Sequence, residues 1–327
     1  MVAWCSTTDT SPMPELSSEP PSEPPSGLLS DTPAELVGPG AGPSVEQGDY
    51  LPFTDRPFQL RMGLRPLELD RWLEVDDLYA EQLKARRALI EERPTEVVGI
   101  VDRPEVLAAS EELWRLVRAV APCPAPDEGI HPVVLAGLST QEDWCILIPS
   151  GEEYYLGAAC VCFPSRWVLA EKMGSSNAMI HAPVAHYEAQ LGAPVDSFLR
   201  RLSPDRPMWR LNWNLFDDPA LFQPSRPLAA EPRTTAPISV ADVGERVWLR
   251  VERQTLRKLA DSGAIAFSIR VHQRPLHTLL DRPAVLDRLR QAVLNLPEDT
   301  YRYKSLDAIG EQLIDWIDHN RSRSVEP

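Results

Sequence analysis

Between Cys160 and Tyr187 the chain reads CVCFPSRWVLAEKMGSSNAMIHAPVAHY: an apolar strand turns at Pro164 into helical sequence and then presents His181 among apolar neighbours. A neutral imidazole is a common transition-metal ligand, so His181 either holds a metal or packs as a half-polar core residue. Lys172, in LAEKMG, lies close by in sequence. At a helix end it complements the local dipole; in a site it would neutralise an anion. His186, five residues beyond His181, would not share a helical face with it, which disfavours a two-histidine metal site. His131, His272, His277 and His319 fall at element ends or in the terminal helix and are weaker ligand candidates.

A second set of polar residues sits on three late apolar runs. In WRLNWNL, Trp209, Leu211, Trp213 and Leu215 alternate with Arg210, Asn212 and Asn214, the period of two that separates the faces of a strand. Val247, Leu249 and Val251 alternate with Trp248, Arg250 and Glu252, and Ser268, Arg270 and His272 oppose Ile265, Phe267 and Ile269. Neighbouring strands would gather Arg210, Asn212, Arg250, Glu252 and Arg270 on one side of a sheet. That side is either a solvated outer face or a polar cluster against a pocket, where arginines pair with carboxylates and Glu252 takes a proton or holds an ammonium.

The elements that would position these residues follow from periodicity. Residues 1–50, with PELSSEPPSEPPSGLL and GPGAGPS, cannot bury enough apolar area to offset ordering entropy and read as a disordered tail. Pro66 opens a helical pattern that runs through Trp72, Leu83 and Leu89 to Glu92, and a second amphipathic helix spans 104–120 with Leu107, Leu113, Val117 and Val120 on one side. CILIP (145–149) and YYLGAACVCF (154–163) are strands joined by SGEE, a hairpin-length turn. Short helices and loops fill 166–202, strands follow at 208–216, 246–253 and 264–272, and the proline-rich stretch 217–244 is a long loop. Helices at 282–294 and 303–320 close the chain.

Two strands, a helical crossover and three more strands is the element order of a PAS-type domain, although other mixed folds share it. The expected class is α+β: a PAS-like antiparallel sheet with a helical crossover, flanked by N- and C-terminal helices. The expected divisions are a tail (1–50), an N-terminal helical layer (51–130), a PAS-like core (131–275) and C-terminal helices (276–327).

Composition excludes several classes. The 327 residues are 43% hydrophobic and 25% charged, ordinary for a globular protein. No apolar run reaches membrane-spanning length, and MVAWCSTTDT lacks the basic start and apolar core of a signal peptide, so a cytoplasmic location is expected. The five cysteines are odd in number and include no CxxC pair. Cys160 and Cys162 share one face of a strand and suit small buried hydrophobes better than a disulfide. The formal charge of −15 argues against a nucleic-acid partner. There is no GxGxxG between strand and helix, GxxxxGK[ST], HExxH, GxSxG or CxxCH, and therefore no evident home for NAD, ATP or a hydrolytic triad.

The strings PFQLRMGLRPLELDRWLEVDDLYAEQLKARR, QEDWCILI, VCFPSRWVLAEKMG, IHAPVAHYEAQL, RLNWNLF and WLRVERQTLRKLADSGAIAFSIR resemble those of the haem-dependent oxidative N-demethylase alpha-subunit family, over roughly residues 51–320. The resemblance implies a PAS-like core that binds haem b without thioether bonds and removes a methyl group, as formaldehyde, from a small secondary amine such as dimethylamine. It implies oxygen as oxidant, electrons from a separate flavin and NAD(P)H reductase subunit, and a folate-binding subunit to take the one-carbon product. By motif, His181 of IHAPV becomes the proximal iron ligand. Arg210, Glu252, Arg253 and Arg270, in RLNW, VERQTL and FSIR, become pocket residues: Glu252, Arg210 and Arg270 for catalysis, and Arg253 with Lys172 for the haem propionates. The chain departs from the family pattern at Ala185 or His186, where proline is usual, and near His272, where an aromatic residue is usual. A haem-binding PAS sensor or a non-catalytic binding protein are the alternatives.

Overall fold

The computed structural model describes residues 49–53, 57–125, 129–182, 184, 187–224 and 237–323. The expected tail lies outside the described residues except for Asp49 and Tyr50, and His186 and the middle of the expected 217–244 loop also lie outside them. The described residues form a mixed helical and antiparallel-sheet fold. Its strands are β1 (Arg65–Pro66), β2 (Val98–Ile100), β3 (Asp143–Ser150), β4 (Glu153–Cys160), β5 (Met208–Phe216), β6 (Trp248–Lys258) and β7 (Ile265–Pro275). They lie side by side in the order β1-β5-β6-β7-β3-β4-β2. Numbered among themselves, the five long strands are arranged 2-1-5-4-3, with the first two joined by the expected hairpin; Gly151 takes its positive φ of 61° in that turn.

The helices are α1 (Tyr79–Glu92), α2 (Pro94–Val97), α3 (Pro104–Arg118), α4 (Pro132–Ser139), α5 (Asn177–His181), α6 (Ala193–Arg201), α7 (Val243–Arg246), α8 (Pro283–Leu294), α9 (Glu298–Tyr303) and α10 (Gly310–Arg323). A π-helical turn over Glu188–Gly192 precedes α6. Because side chains alternate along each strand, the sheet has two distinct packed sides. Trp144, Ile146 and Ile148 of β3 pack into one cluster with Val106, Leu113 and Val117 of α3 and Val133 and Leu135 of α4. Cys145 and Leu147 point the other way, into a cluster with Leu169, Leu199 and Leu202 of the crossover between β4 and β5. A third cluster joins Leu249 and Val251 to α8 and α10 through Leu286, Leu289, Leu313 and Ile317, and includes Tyr50, Leu51 and Phe53 of the N-terminal segment.

Three helix expectations are corrected. The first helix begins at Tyr79, not at Pro66, which pairs with Met208 in a short bridge. Residues 67–78 instead fold as turns: Leu67, Trp72 and Glu74 are buried, and Asp76 Oδ1 accepts from the backbone N–H of Leu78 at 3.0 Å, a local turn that competes with helix. The second helix buries Val106, Ala109, Leu113, Trp114 and Val117, whereas Leu107 and Val120 are exposed. The last expected helix is split: Ser305 is left-handed at φ 56°, so α9 ends at Tyr303 and α10 begins only at Gly310.

Helix α1 also buries charge. Arg86 donates from Nε to the Gly137 carbonyl at 2.8 Å and from Nη1 to Asp143 Oδ1 at 2.7 Å. Asp143 in turn accepts from the backbone N–H groups of Cys162 and Phe163, so one fully buried ion pair ties α1 to the start of β3 and the end of β4. Removing either partner would strand a charge in the core, at a cost of about 3–5 kcal/mol. Cys160 and Cys162 are buried free thiols, as their spacing suggested.

Candidate functional site

The register of β5 on β6 places Arg210 opposite Gln254, Asn212 opposite Glu252 and Asn214 opposite Arg250. These six residues therefore share a face, and it is the face that carries Met208, Leu256 and Phe267 toward the crossover cluster. Arg270 lies opposite Arg253, one position out of phase with Glu252. The expectation that Arg270 joins Arg210 and Glu252 is corrected: alternation identifies two faces per strand, but only the register says which faces coincide.

Arg253 and Arg270 point toward the N-terminal layer and are engaged there. Arg253 pairs with Glu74 at 3.1 Å and donates to the carbonyls of Trp72 and Arg71, while Arg270 pairs with Asp76 at 2.5 Å and donates to Gln82 at 2.9 Å. His272 is on that side too, 3.3 Å from Glu74 and beside Tyr50. Arg250 is also committed, donating to Ser165 Oγ and to the carbonyls of Phe163, Pro164, Ala220 and Leu221.

What remains free gathers around Glu252. Its Oε2 accepts from Asn212 Nδ2 at 3.2 Å and Gln254 Nε2 at 2.8 Å. Arg210 is partly buried, and its Nε has no hydrogen-bond partner among the described residues. Burial lowers the guanidinium's pKa and the nearby Glu252 charge opposes that. Lys304, which follows α9, enters from the C-terminal segment: its Nζ donates to the Trp213 carbonyl at 2.6 Å and Asn214 Oδ1 at 3.4 Å, over the Trp213 ring. Desolvation pulls its pKa down to about 8, against the pull of Glu252 and with the push of Arg210. Two cations thus flank one carboxylate, and neither Arg210 nor Lys304 has a salt bridge among the described residues.

His181 closes the group from the crossover. It ends α5, a single turn capped by Ser176, and stacks on Tyr187 with ring centroids 4.4 Å apart. Its Nδ1 lies 2.9 Å from the Asn177 carbonyl; a carbonyl can only accept, so Nδ1 carries the proton and Nε2 keeps its lone pair. Burial, followed by the charges of Arg210 and Lys172 beyond the Asn177 bond, holds the imidazole below its ordinary pKa and hence neutral near pH 7. Lys172 donates to the Ile180 carbonyl at 2.9 Å, one residue before His181. Arg210 thus lies within electrostatic reach of both Glu252 and His181, with Lys172 bonded to the residue before His181, while Arg253 and Arg270 face the other side of the sheet. Sequence reasoning missed Lys304, which the expected continuous helix hid, and Tyr187, whose hydroxyl accepts from Asn177 at 2.9 Å.

These residues suit a haem. A neutral imidazole with its second nitrogen fixed on a carbonyl has the orientation device common to ligating histidines. The orphaned Arg210 Nε and the nearby Lys172 offer cations to propionates. No group of three or more His, Cys, Asp or Glu side chains among the described residues is placed to hold a metal ion. A cleft of about 500 Å³ lined by Phe58, Leu60, Arg61, Gln190, Pro297 and Thr300 opens between the N-terminal segment, the π-helical turn and α9. A family model described as haem-dependent oxidative N-demethylase, alpha subunit-like matches residues 63–124 and 118–314, a span that holds every residue of the cluster. The chain belongs to the haem-dependent oxidative N-demethylase, alpha subunit-like family.

Proposed function

We propose that the protein is the haem-binding subunit of an oxidative N-demethylase acting on a small secondary amine of the dimethylamine type. Haem b, when bound, supplies the activation of oxygen. In the overall change, amine, O2, two electrons and two protons give the demethylated amine, formaldehyde and water. His181 would hold the iron through Nε2, with Lys172 and Arg210 neutralising propionates. Glu252, positioned by Asn212 and Gln254, would hold the substrate ammonium. The 2-1-5-4-3 strand order and the crossover lying on one sheet face support a PAS-like reading of the core.

The observation that carries the proposal is the His181–Asn177 contact beside Arg210 and Lys172, within the span matched to the family. Arg253 and Arg270, committed to Glu74 and Asp76, would act by holding β6 and β7 in place rather than by touching haem or amine. Electrons would come from a separate flavin and NAD(P)H reductase, and a folate-binding subunit would receive formaldehyde; the family's description of the chain as a subunit supports such an assembly. No helix of the described residues is long and apolar enough to cross a membrane.

Expression with a haem precursor should give a Soret band that is lost in His181→Ala while far-ultraviolet circular dichroism is unchanged. A colourless wild-type protein would discard the proposal. A coloured protein that consumes no oxygen with reductant and methylamines would favour a sensor.

A further inference from the structure

The proposed amine site carries more positive charge than an alkylammonium ion needs. Glu252 is the carboxylate of the cluster, and its Oε2 is taken by two amide donors. Lys304 stands one two-residue strand step away, since it reaches Asn214 and Asn214 is two positions along β5 from Asn212; such a step is about 7 Å. Two of its N–H groups are engaged by neutral oxygens, the Trp213 carbonyl and Asn214 Oδ1, and among the described residues no carboxylate bonds it directly, Glu252 acting on it only at longer range. A partly buried ammonium ordinarily has an anionic partner. With Arg210 assigned to a propionate, a simple dialkylammonium bound at Glu252 would be opposed by Lys304 and would leave that ammonium without a bonded anion.

We propose that Glu252 and Lys304 together select a zwitterionic secondary amine, an N-methylated amino acid, with the ammonium on Glu252 and the carboxylate on Lys304. The inference rests on the amine-demethylation reading and narrows its substrate class. Arg210 and Lys172, both beside His181, are left for the propionates, so each buried charge in the site meets an opposite one. The N-methyl carbon leaves as formaldehyde and the product is the parent amino acid, with oxygen and two external electrons consumed as above.

Calorimetric titration of the full chain, as purified, with N-methylglycine, glycine and dimethylamine tests this independently of turnover. N-methylglycine should bind at least tenfold more tightly than dimethylamine. Lys304→Met should remove that preference and Lys304→Arg should restore most of it. Equal binding of the two amines by the wild type, or a preference that survives in Lys304→Met, would overturn the proposal. Should Lys304→Met fail to fold, the wild-type comparison alone decides. A protein without a Soret band that keeps the preference would sink the haem reading and uphold the charge pair. A coloured protein without the preference would do the reverse.

Discussion

Arg253 and Arg270 stand directly opposite one another across the β6–β7 ladder, and each is drawn to a different acid of the same preceding segment, Arg253 to Glu74 and Arg270 to Asp76. Two like charges in cross-strand register would repel; here the two acids, spaced two residues apart, divide them. The Glu74 pair is almost wholly buried, whereas the Asp76 carboxylate is about a third exposed (36%). Glu74→Ala should therefore cost about 3–5 kcal/mol in urea unfolding. Asp76→Ala should cost distinctly less because solvent screens the pair. Equal losses would show that the two acids are not differently buried in solution.

The same cluster sets an acid limit on stability. The neighbouring His272, 3.3 Å away, the charge of Arg253 and the hydrogen bond from Tyr50 outweigh burial and hold Glu74 below the ordinary 4.5; Gln141 and Arg270 do the same for Asp76, below 3.8. Their contribution is present above those values and is lost as pH falls through the lower folded ones. Burial depresses His272 below 6.5, so the unfolded chain takes up its proton first and stability begins to fall below about pH 6.5. Glu142, raised by burial, works in the opposite direction and softens the decline. Thermal melts from pH 8 to 4 should show Tm decreasing below about 6.5, and His272→Phe should flatten the first part of that slope.

Glu252→Gln retains shape and the capacity to accept from Asn212 while removing the charge. Loss of a positioned charge or proton acceptor typically costs roughly 10²–10⁴-fold in rate. Amine turnover should fall by that order with the Soret band unchanged. A mutant with wild-type kinetics would remove Glu252 from the reaction.

Gly157 lies in β4 where a Cβ would come within 2.5 Å of Ile148 Cγ1 and 2.9 Å of Val106 Cγ2. Gly157→Ala should thus overpack the contact between the hairpin and α3, at a cost of about 1–3 kcal/mol. Denaturant titration checks it. Gly151→Ala should also destabilise, but through its positive φ, since nothing lies within 4 Å of a Cβ there.

Legibility in the sequence followed the range of the interactions. The hairpin, the three late strands and α3 are written in local periodicity, and the strings that carry the family resemblance fall in the matched span except for residues 57–62. The break before Tyr79 was hidden because Leu69, Trp72 and Leu73 mimic a helical stripe, while the residues that settle it, Glu142 and Gln141, bond to Glu74 and Asp76 from more than sixty positions away. In the site, His181, Arg210 and Glu252 stood out by type and alternation. The separation of Arg270 from them depends on a register that no single strand encodes, and Lys304 is hidden because nothing in the local periodicity marks the left-handed break at Ser305.

Arg250 grips the carbonyls of Phe163 and Pro164, where the chain leaves β4, and those of Ala220 and Leu221, just after β5. The stretch between these points, which carries His181 and ends in β5, is thus fastened by one side chain of β6 at both of its ends. Loss of the Arg250 side chain would therefore slacken both ends of the histidine-bearing stretch together.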